Sequence, residues 1–312
     1  MIKENGFQNF AHPELRHLIE FHEFSNDSET AAVQYSKAYE LEFVLGGELD
    51  EVIAAYRKTL ELDSHHSDAY MRLGNIFSKQ DQLDKAIAYH QQASGLRGWY
   101  LCGERNYQFT DNWFSEHIPV WEKYLAPFAH KAGLNVLEIG SYQGMSTCWL
   151  LDNILTHNSA KIVCVDPFRH QLCPPYGQRF IDNIDETGDT SKVVRIANNS
   201  QDALFVLKPN VYDFIYIDGD HRDDIVLQDG VASWNLVKLG GLMIFDDYEC
   251  PFPKHNTKIG TDQFLSLFGS SVEVIHKDYQ VFCKKTSNNL DSETISTLQE
   301  VLSQEIFDSL SV

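Results

Sequence analysis

Four apolar runs in the second half of the chain end in acids, and carboxylates so placed can hold an ammonium group, ribose hydroxyls or a metal ion. The first is Val136-Leu137-Glu138-Ile139, followed by Gly140-Ser141-Tyr142-Gln143-Gly144-Met145-Ser146. Gly140 and Gly144 permit close backbone approach, and a helix starting after the turn offers its free amides to an anion or carboxylate. Glu138 at the end of that run suits a ligand bearing an ammonium group better than one bearing a pyrophosphate, which points to methionine-type chemistry. About one crossover later, Ile162-Val163-Cys164-Val165-Asp166 ends in the acid that a doubly wound fold sets against ribose hydroxyls. After Val193–Ala197, the polar residues Asn198-Asn199-Ser200-Gln201-Asp202 can meet an adenine edge or simply cap a helix.

The other two runs, Phe214–Asp218 and Leu242–Asp247, bring three more acids, Asp218, Asp246 and Asp247. In a parallel sheet such ends share one edge. Three unpaired carboxylates there would repel one another, and a hard divalent cation, Mg²⁺ or Mn²⁺, removes the conflict while leaving positions for water and substrate. A hydroxyl oxygen bound to that cation loses its proton more readily and is aimed at its target. His221, three residues after Asp218, has an ordinary pKa near ~6.5 and is the candidate base, with Asp218 beside it. The bland alternative is that His221 holds its loop. Asp220, Asp223 and Asp224 are further acids nearby.

The elements that must carry these residues alternate. Strands are expected at Asn135–Ile139, Lys161–Val165, Val193–Ala197, Asp213–Ile217 and Gly241–Phe245, with a helix over Met145–Leu155. Buried apolar runs separated by helical patterns predict a parallel sheet of crossover units. Val272–Ile275 and Val281–Cys283, joined through His276–Gln280, predict an antiparallel pair at the end. An amphipathic helix is expected near Glu293–Phe307. Arg169–Gln178 and Tyr248–Lys258 are the loops expected to wall an acceptor site.

Ahead of the sheet the periodicity is helical, and two stretches align at an offset of 34, matching Phe43 to Phe77, Leu49 to Leu83, Asp50 to Asp84 and Ile53 to Ile87. The second copy, Tyr70–Phe77 with Gly74, Ala86 and Ala93, resembles the tetratricopeptide repeat. Its reading is a structural or self-associating element, with peptide docking as the alternative. Between Gly98 and Gly133 come Trp99, Tyr107, Phe109, Trp113, Phe114, Trp121, Tyr124 and Phe128, read as packing at a junction, with an amphipathic helix over Ser115–Ala132.

Composition sets outer limits. With 25 basic against 45 acidic residues the net charge is −20, which disfavours a nucleic-acid partner. No apolar run approaches the ~18 residues that span a bilayer, so no membrane partner is expected, and Met1–Asn5 shows no leader pattern, so the expected compartment is cytoplasmic. The six cysteines are scattered without C-x-x-C or zinc spacing and read as reduced thiols.

Residues 134–284 resemble a class I methyltransferase, and within that class the metal-dependent catechol and sugar O-methyltransferases. The resemblance rests on Leu-Glu-Ile-Gly-Ser-Tyr-Gln-Gly at 137–144, Ser-Gln-Asp at 200–202, Ile-Asp-Gly-Asp-His at 217–221 and Asp-Asp-Tyr at 246–248. It implies S-adenosylmethionine as cofactor, with Glu138 near the methionine end, Asp166 on the ribose, Ser200 and Gln201 at the adenine, and Gly140, Ser141, Tyr142, Gly144 and Ser146 lining the turn. Asp218 would adjoin the cofactor, and Asp218, Asp246 and Asp247 would hold the metal. The catechol enzymes carry a lysine where this chain has His221. The fold implied is a Rossmann-like, mostly parallel seven-stranded sheet with an antiparallel last strand. The expected organisation is a helical repeat domain over 1–98, a connector over 99–133, the methyltransferase domain over 134–286 and a helical tail over 287–312. The expected activity is O-methylation of a small-molecule or carbohydrate hydroxyl. A protein or peptide acceptor docked on the repeats is the alternative.

Overall fold

A computed structural model describes residues 30–168, 176–250 and 255–290, with 296 and 298. The chain folds as two compact units. One is residues 1–129 with 143–154 and 178–188, and the other is residues 130–142, 155–177 and 189–312.

The second unit holds a seven-stranded sheet: β1 (Asn135–Ile139), β2 (Lys161–Val165), β3 (Val193–Ile196), β4 (Tyr212–Ile217), β5 (Val237–Phe245), β6 (Val272–Lys277) and β7 (Val281–Lys285). The order is β3-β2-β1-β4-β5-β7-β6, parallel from β3 through β5, with β7 antiparallel to both β5 and β6. Central strands covered on both faces read as continuous apolar runs, and Phe214–Ile217 and Leu242–Phe245 are buried at every position. Helix Asp223–Leu236 packs Val231 and Trp234 against Met243 and Phe245, and helix Thr257–Phe268 adds Phe264 and Phe268 to the same core. Because β1, β2, β4 and β5 run the same way, their acid-bearing ends lie at one edge.

Differences from expectation are local. β5 begins at Val237, four residues before the expected Gly241, because the chain bulges between its pairings Tyr212↔Val237 and Phe214↔Leu242, with Gly240 at φ +79. The hairpin strands β6 and β7 each extend two residues further than expected. The helix over Ser115–Ala132 is broken into a 3-10 turn Ser115–His117, a helix Ile118–Leu125 and a second turn Ala126–Phe128. Pro127 supplies no amide to continue the ladder. Residues 1–29 of the expected repeat domain and the expected helix near Glu293–Phe307 lie outside the described residues, apart from Ser296 and Leu298.

The first unit is helical. Helices Ala31–Phe43 and Leu49–Leu62 form one pair, Ser67–Lys79 and Leu83–Leu96 a second, and the second helices of the two pairs stand 34 residues apart in both their first and last positions. Their shared core is Tyr35, Ala38, Val52, Ile53, Tyr56, Ala69, Leu73, Ile76, Phe77 and Ala86. Trp99, Tyr107 and Phe109 are buried against one another with ring centres 5.3–5.9 Å apart. Asp152, near the end of helix Met145–Asn153, accepts hydrogen bonds from Trp99 Nε1 at 2.9 Å and Tyr107 Oη at 3.0 Å. Trp99, Tyr107, Phe109, Phe114 and Trp121 of the connector are therefore packing residues, Tyr124 and Phe128 are partly buried, and Tyr100 and Trp113 are exposed.

At Gly74 a side chain of the other helix of the pair fills the space that a Cβ would need. A Cβ there would lie 2.2 Å from Cδ2 of His90, whose ring is buried and held by Asn75 Oδ1 at 3.0 Å and the Phe109 carbonyl at 3.1 Å. The ring cannot move aside without losing both partners. Gly74→Ala is expected to lower unfolding stability by about 1–3 kcal/mol, read as an earlier midpoint in urea titration.

Candidate functional site

β1 leaves the sheet through Gly140, whose φ is +86. A Cβ on Gly140 would fall 1.8 Å from the Asp218 carbonyl oxygen, so the turn after β1 lies directly on the end of β4. The same end is pinned by Asp218 N donating to Ile139 O at 2.8 Å, and Gly140 N donates to Val165 O of β2 at 2.8 Å.

The acids expected at the donor side sit around this turn. Glu138 is fully buried and accepts from Ser141 Oγ at 2.6 Å. Asp166 Oδ2 receives the amides of both Ser141 and Tyr142 at 3.0 Å, and its Oδ1 receives Phe168 N at 2.5 Å. A carboxylate offers about four acceptor positions, so Asp166 retains one for a ligand hydroxyl. The Tyr142 ring lies tilted against that of Tyr176, with centres 4.2 Å apart. Ser200 and Gln201 open the short helix Ser200–Ala203 after β3. Gly144, at φ +82, caps helix Met145–Asn153, whose first turn carries Ser146; these two belong to the first unit.

The expected metal acids divide into two groups that meet at the ends of β4 and β5. Tyr216 Oη lies 3.1 Å from Asp218 Oδ2 and also bonds Asp246 Oδ2. Two carboxylates thus crowd one phenolic hydroxyl. In keeping with that, desolvation and the Asp246 charge push Asp218 well above its usual range. The Tyr216 hydroxyl is pushed up too, by burial first and then by Asp218 and Asp246. Asp246 Oδ1 also accepts from Gln280 Nε2 at 3.0 Å and from Asp247 N at 2.8 Å.

Asp247 faces two histidines. Its Oδ2 is 3.1 Å from His221 Nε2 and 3.6 Å from His255 Nδ1, while its Oδ1 accepts from Tyr279 Oη at 2.6 Å. The backbone of Asp247 is left-handed, φ +54, a strained setting for a non-glycine residue. His221 lies 3.8 Å from Asp218 Oδ1 and its ring stacks on His255 at 4.1 Å. Burial opposes a charge on His221, but the Asp218 and Asp247 carboxylates outweigh it and push its pKa up to about 9. His255 moves the other way, lowered by burial and by its charged neighbour. Among the described residues, His221, Asp247 and His255 are the group of side chains able to hold a metal ion, with donor atoms within 4.8 Å of one another.

Several of these residues were not singled out from the sequence. Tyr216 could have been, since it shares a strand face with Asp218 two positions on. Tyr279 and Gln280 come from the β6–β7 turn and carry no local signal. The expected walls fall partly outside the description, which omits 169–175 and 251–254.

Comparisons with known proteins bear on this geometry. Residues 137–248 match a family model described as a methyltransferase domain. An uncharacterized protein, R132 of Acanthamoeba polyphaga mimivirus, is 30% identical over 142 residues, which are 44% of this chain and 61% of that protein. The chain thus spans about three-fifths of the curated relative it matches. Solved structures show weaker likeness. A Corynebacterium glutamicum protein is 15% identical at a TM-score of 0.42, covering 52% of this chain and 77% of its own. Cofactor-bound Rv0187 from MTB is 16% identical at 0.40, covering 48% and 72%. MycE methyltransferase of mycinamycin biosynthesis, solved with Mg, SAH and mycinamycin VI, is 14% identical at 0.41, covering 60% and 55%. No helix of the described residues is long and apolar enough to cross a membrane.

One further acid lies beneath the site. Asp229 is 1% exposed, its Oδ2 has no hydrogen-bond partner among the described residues, and its side chain bonds Ser200. Burial raises its pKa from 3.8 to about 7. The folded state therefore holds this proton more tightly than the unfolded chain. The folded protein is favoured below about pH 4, and that advantage is lost as pH rises to about 7. Asp229→Asn should flatten this fall, shrinking the difference in unfolding free energy between pH 4 and 8 by up to about 4 kcal/mol. Urea titrations at the two pH values measure it, and an unchanged difference would place the Asp229 charge elsewhere.

Proposed function

We propose, for a chain whose residues 137–248 match a methyltransferase domain model, that it uses S-adenosylmethionine to methylate a hydroxyl of a small molecule or sugar, assisted by a divalent cation. The observation that carries the cofactor reading is the fully buried carboxylate of Glu138 beside a glycine turn whose amides gather on Asp166. A carboxylate so deeply buried is stable only against strong donors or a positive charge, and the ammonium of a methionine moiety is such a partner. Asp166, with one acceptor position left, suits a ribose hydroxyl.

When bound, S-adenosylmethionine supplies an electrophilic methyl group. This chain must then orient an oxygen nucleophile and receive its proton. The His221–Asp218 pair stands at the β4 end that Gly140 touches, and it is the proton-accepting group of the proposal once His221 has lost its own proton, which a pKa of about 9 delays to alkaline pH. Of the acids Asp218, Asp246 and Asp247, Asp247 is the one whose oxygen converges with other donor atoms on a cation position, and Asp218 and Asp247 are both raised by desolvation and by the Asp246 charge. A cation would relieve that repulsion and favour the ionised form of an acceptor hydroxyl. The net charge of −20 favours a neutral or cationic acceptor over a polyanion.

Two measurements test this reading. Wild-type protein should bind S-adenosylhomocysteine in calorimetry, and Glu138→Gln and Asp166→Asn should each weaken binding by about 10-fold or more, as loss of a charge-assisted hydrogen bond requires. Methyl transfer to a panel of sugars and phenols should fall on chelation and return with added divalent metal. Absence of S-adenosylhomocysteine binding by folded wild-type protein would overturn the cofactor assignment.

A further inference from the structure

Gln143 has no part in the roles assigned above, although it sits in the donor turn itself, between Tyr142 and Gly144. Both neighbours have left-handed backbones, Tyr142 at φ +48 and Gly144 at φ +82. A turn so shaped, with a non-glycine residue in that region, persists only where its surroundings hold it. Gln143 belongs to the first unit, with residues 1–129 and 178–188, and the partners of its side chain and carbonyl lie in that same unit.

The Gln143 side chain is buried and pairs with one residue of the connector. Its Oε1 accepts from Thr110 N at 2.9 Å, and its Nε2 donates to Thr110 Oγ1 at 2.7 Å. Its main-chain carbonyl accepts from Asn183 Nδ2 at 2.9 Å, and Asn183 Oδ1 accepts from Gln108 N at 2.7 Å. These four bonds close a circuit through the connector, the turn and helix Tyr176–Thr187, and each spans at least 33 residues of sequence. The connector side of the circuit is anchored on the second helix pair. His90 Nδ1 stands 3.1 Å from the Phe109 carbonyl, Ser78 Oγ donates to Asp111 Oδ1 at 3.0 Å, and Asn112 N donates to Asn75 Oδ1 at 3.2 Å.

Apolar contact would be enough to join three segments, but it is non-directional. Hydrogen bonds weaken steeply away from their preferred angles, and a buried donor or acceptor that loses its partner costs free energy. The circuit therefore fixes the backbone at Gln143 closely, as a turn that must present groups to a ligand requires.

We propose that Gln143 is a positioning residue of the donor turn, and that Gln108–Thr110 of the connector serve donor binding through it. The inference rests on the S-adenosylmethionine reading above and adds that the helical unit helps set the affinity of that site. Gln143 touches no ligand; it acts through the backbone that leads to Gly144 and Ser146.

Calorimetric titration of the full-length protein with S-adenosylhomocysteine tests this. Thr110→Val keeps the shape and the amide of Thr110 but removes the hydroxyl that Gln143 Nε2 bonds, and should weaken binding by about 3–10-fold. Thr110→Ser restores the hydroxyl and should recover most of that loss. Gln143→Met, similar in length without either polar atom, should weaken binding by about 10-fold or more. The double variant with Thr110→Val should bind within about 2-fold of Gln143→Met alone, because the two changes remove the same bond. Bonds that were merely structural would lower the urea midpoint and leave the affinity of the folded protein unchanged. Wild-type affinity in folded Thr110→Val and Gln143→Met, or equal losses in Thr110→Val and Thr110→Ser, would overturn the positioning role. Absence of binding by the wild-type protein would overturn the donor assignment and this role with it, so the two failures are distinguishable.

Discussion

A side chain that is missing sets the geometry of the sheet edge. Gly140 lies so close to the Asp218 carbonyl that no other residue could take its place without parting β1 from β4. That approach draws two functions together: the turn that presents Glu138, Ser141 and Tyr142, and the strand end that presents Asp218. Asp166 reinforces it from β2 by accepting two consecutive amides of the turn, so three neighbouring strands are joined at one corner. A left-handed glycine costs little conformationally, whereas any side chain there would displace backbone.

Bringing acids together raises an electrostatic problem, and the rest of the site answers it. Each carboxylate is met by a group from a different element: Tyr216 from within β4, His221 from the loop after it, His255 from the segment before helix Thr257–Phe268, and Tyr279 with Gln280 from the β6–β7 turn. This gives the antiparallel hairpin at the sheet edge a role beyond covering β5. It carries a phenol to Asp247 and an amide to Asp246. Local strain at Asp247 is held by that same turn, through Tyr248 N bonded to Tyr279 O at 2.8 Å.

Legibility in the sequence followed range. The strands could be read because buried parallel strands are unbroken apolar runs, and acids at their ends stand out against Ile, Val and Phe. The Gly140 turn could be read because its glycines sit between a strand pattern and a helix pattern. What could not be read depended on pairing across distance. Nothing near Asp246 indicates that Gln280, 34 positions on, will occupy one of its oxygens. The left-handed backbone at Asp247 leaves no trace in residue type either, since an acid at a strand end does not reveal its backbone conformation.

The helical unit bears on how the whole chain should be regarded. Helix Met145–Asn153 is buried at every position from Met145 to Leu151, and a helix buried all round needs cover from more than one side. Within its own unit that cover includes Phe114 and Trp121, both with ring centres under 6 Å from Trp149, and Asp152 is bonded by Trp99 and Tyr107. The aromatic connector is thereby part of the structural support of a helix that begins directly after the Gly140 turn. Exposing Trp149 alone would forfeit on the order of 2–3 kcal/mol of burial, before the loss of the Asp152 bonds is counted. The four repeat helices share one core with one another, while the connector that follows them packs on this helix. A chain cut before residue 134 would keep the acid-bearing strands and lose what holds Met145–Asn153 in place.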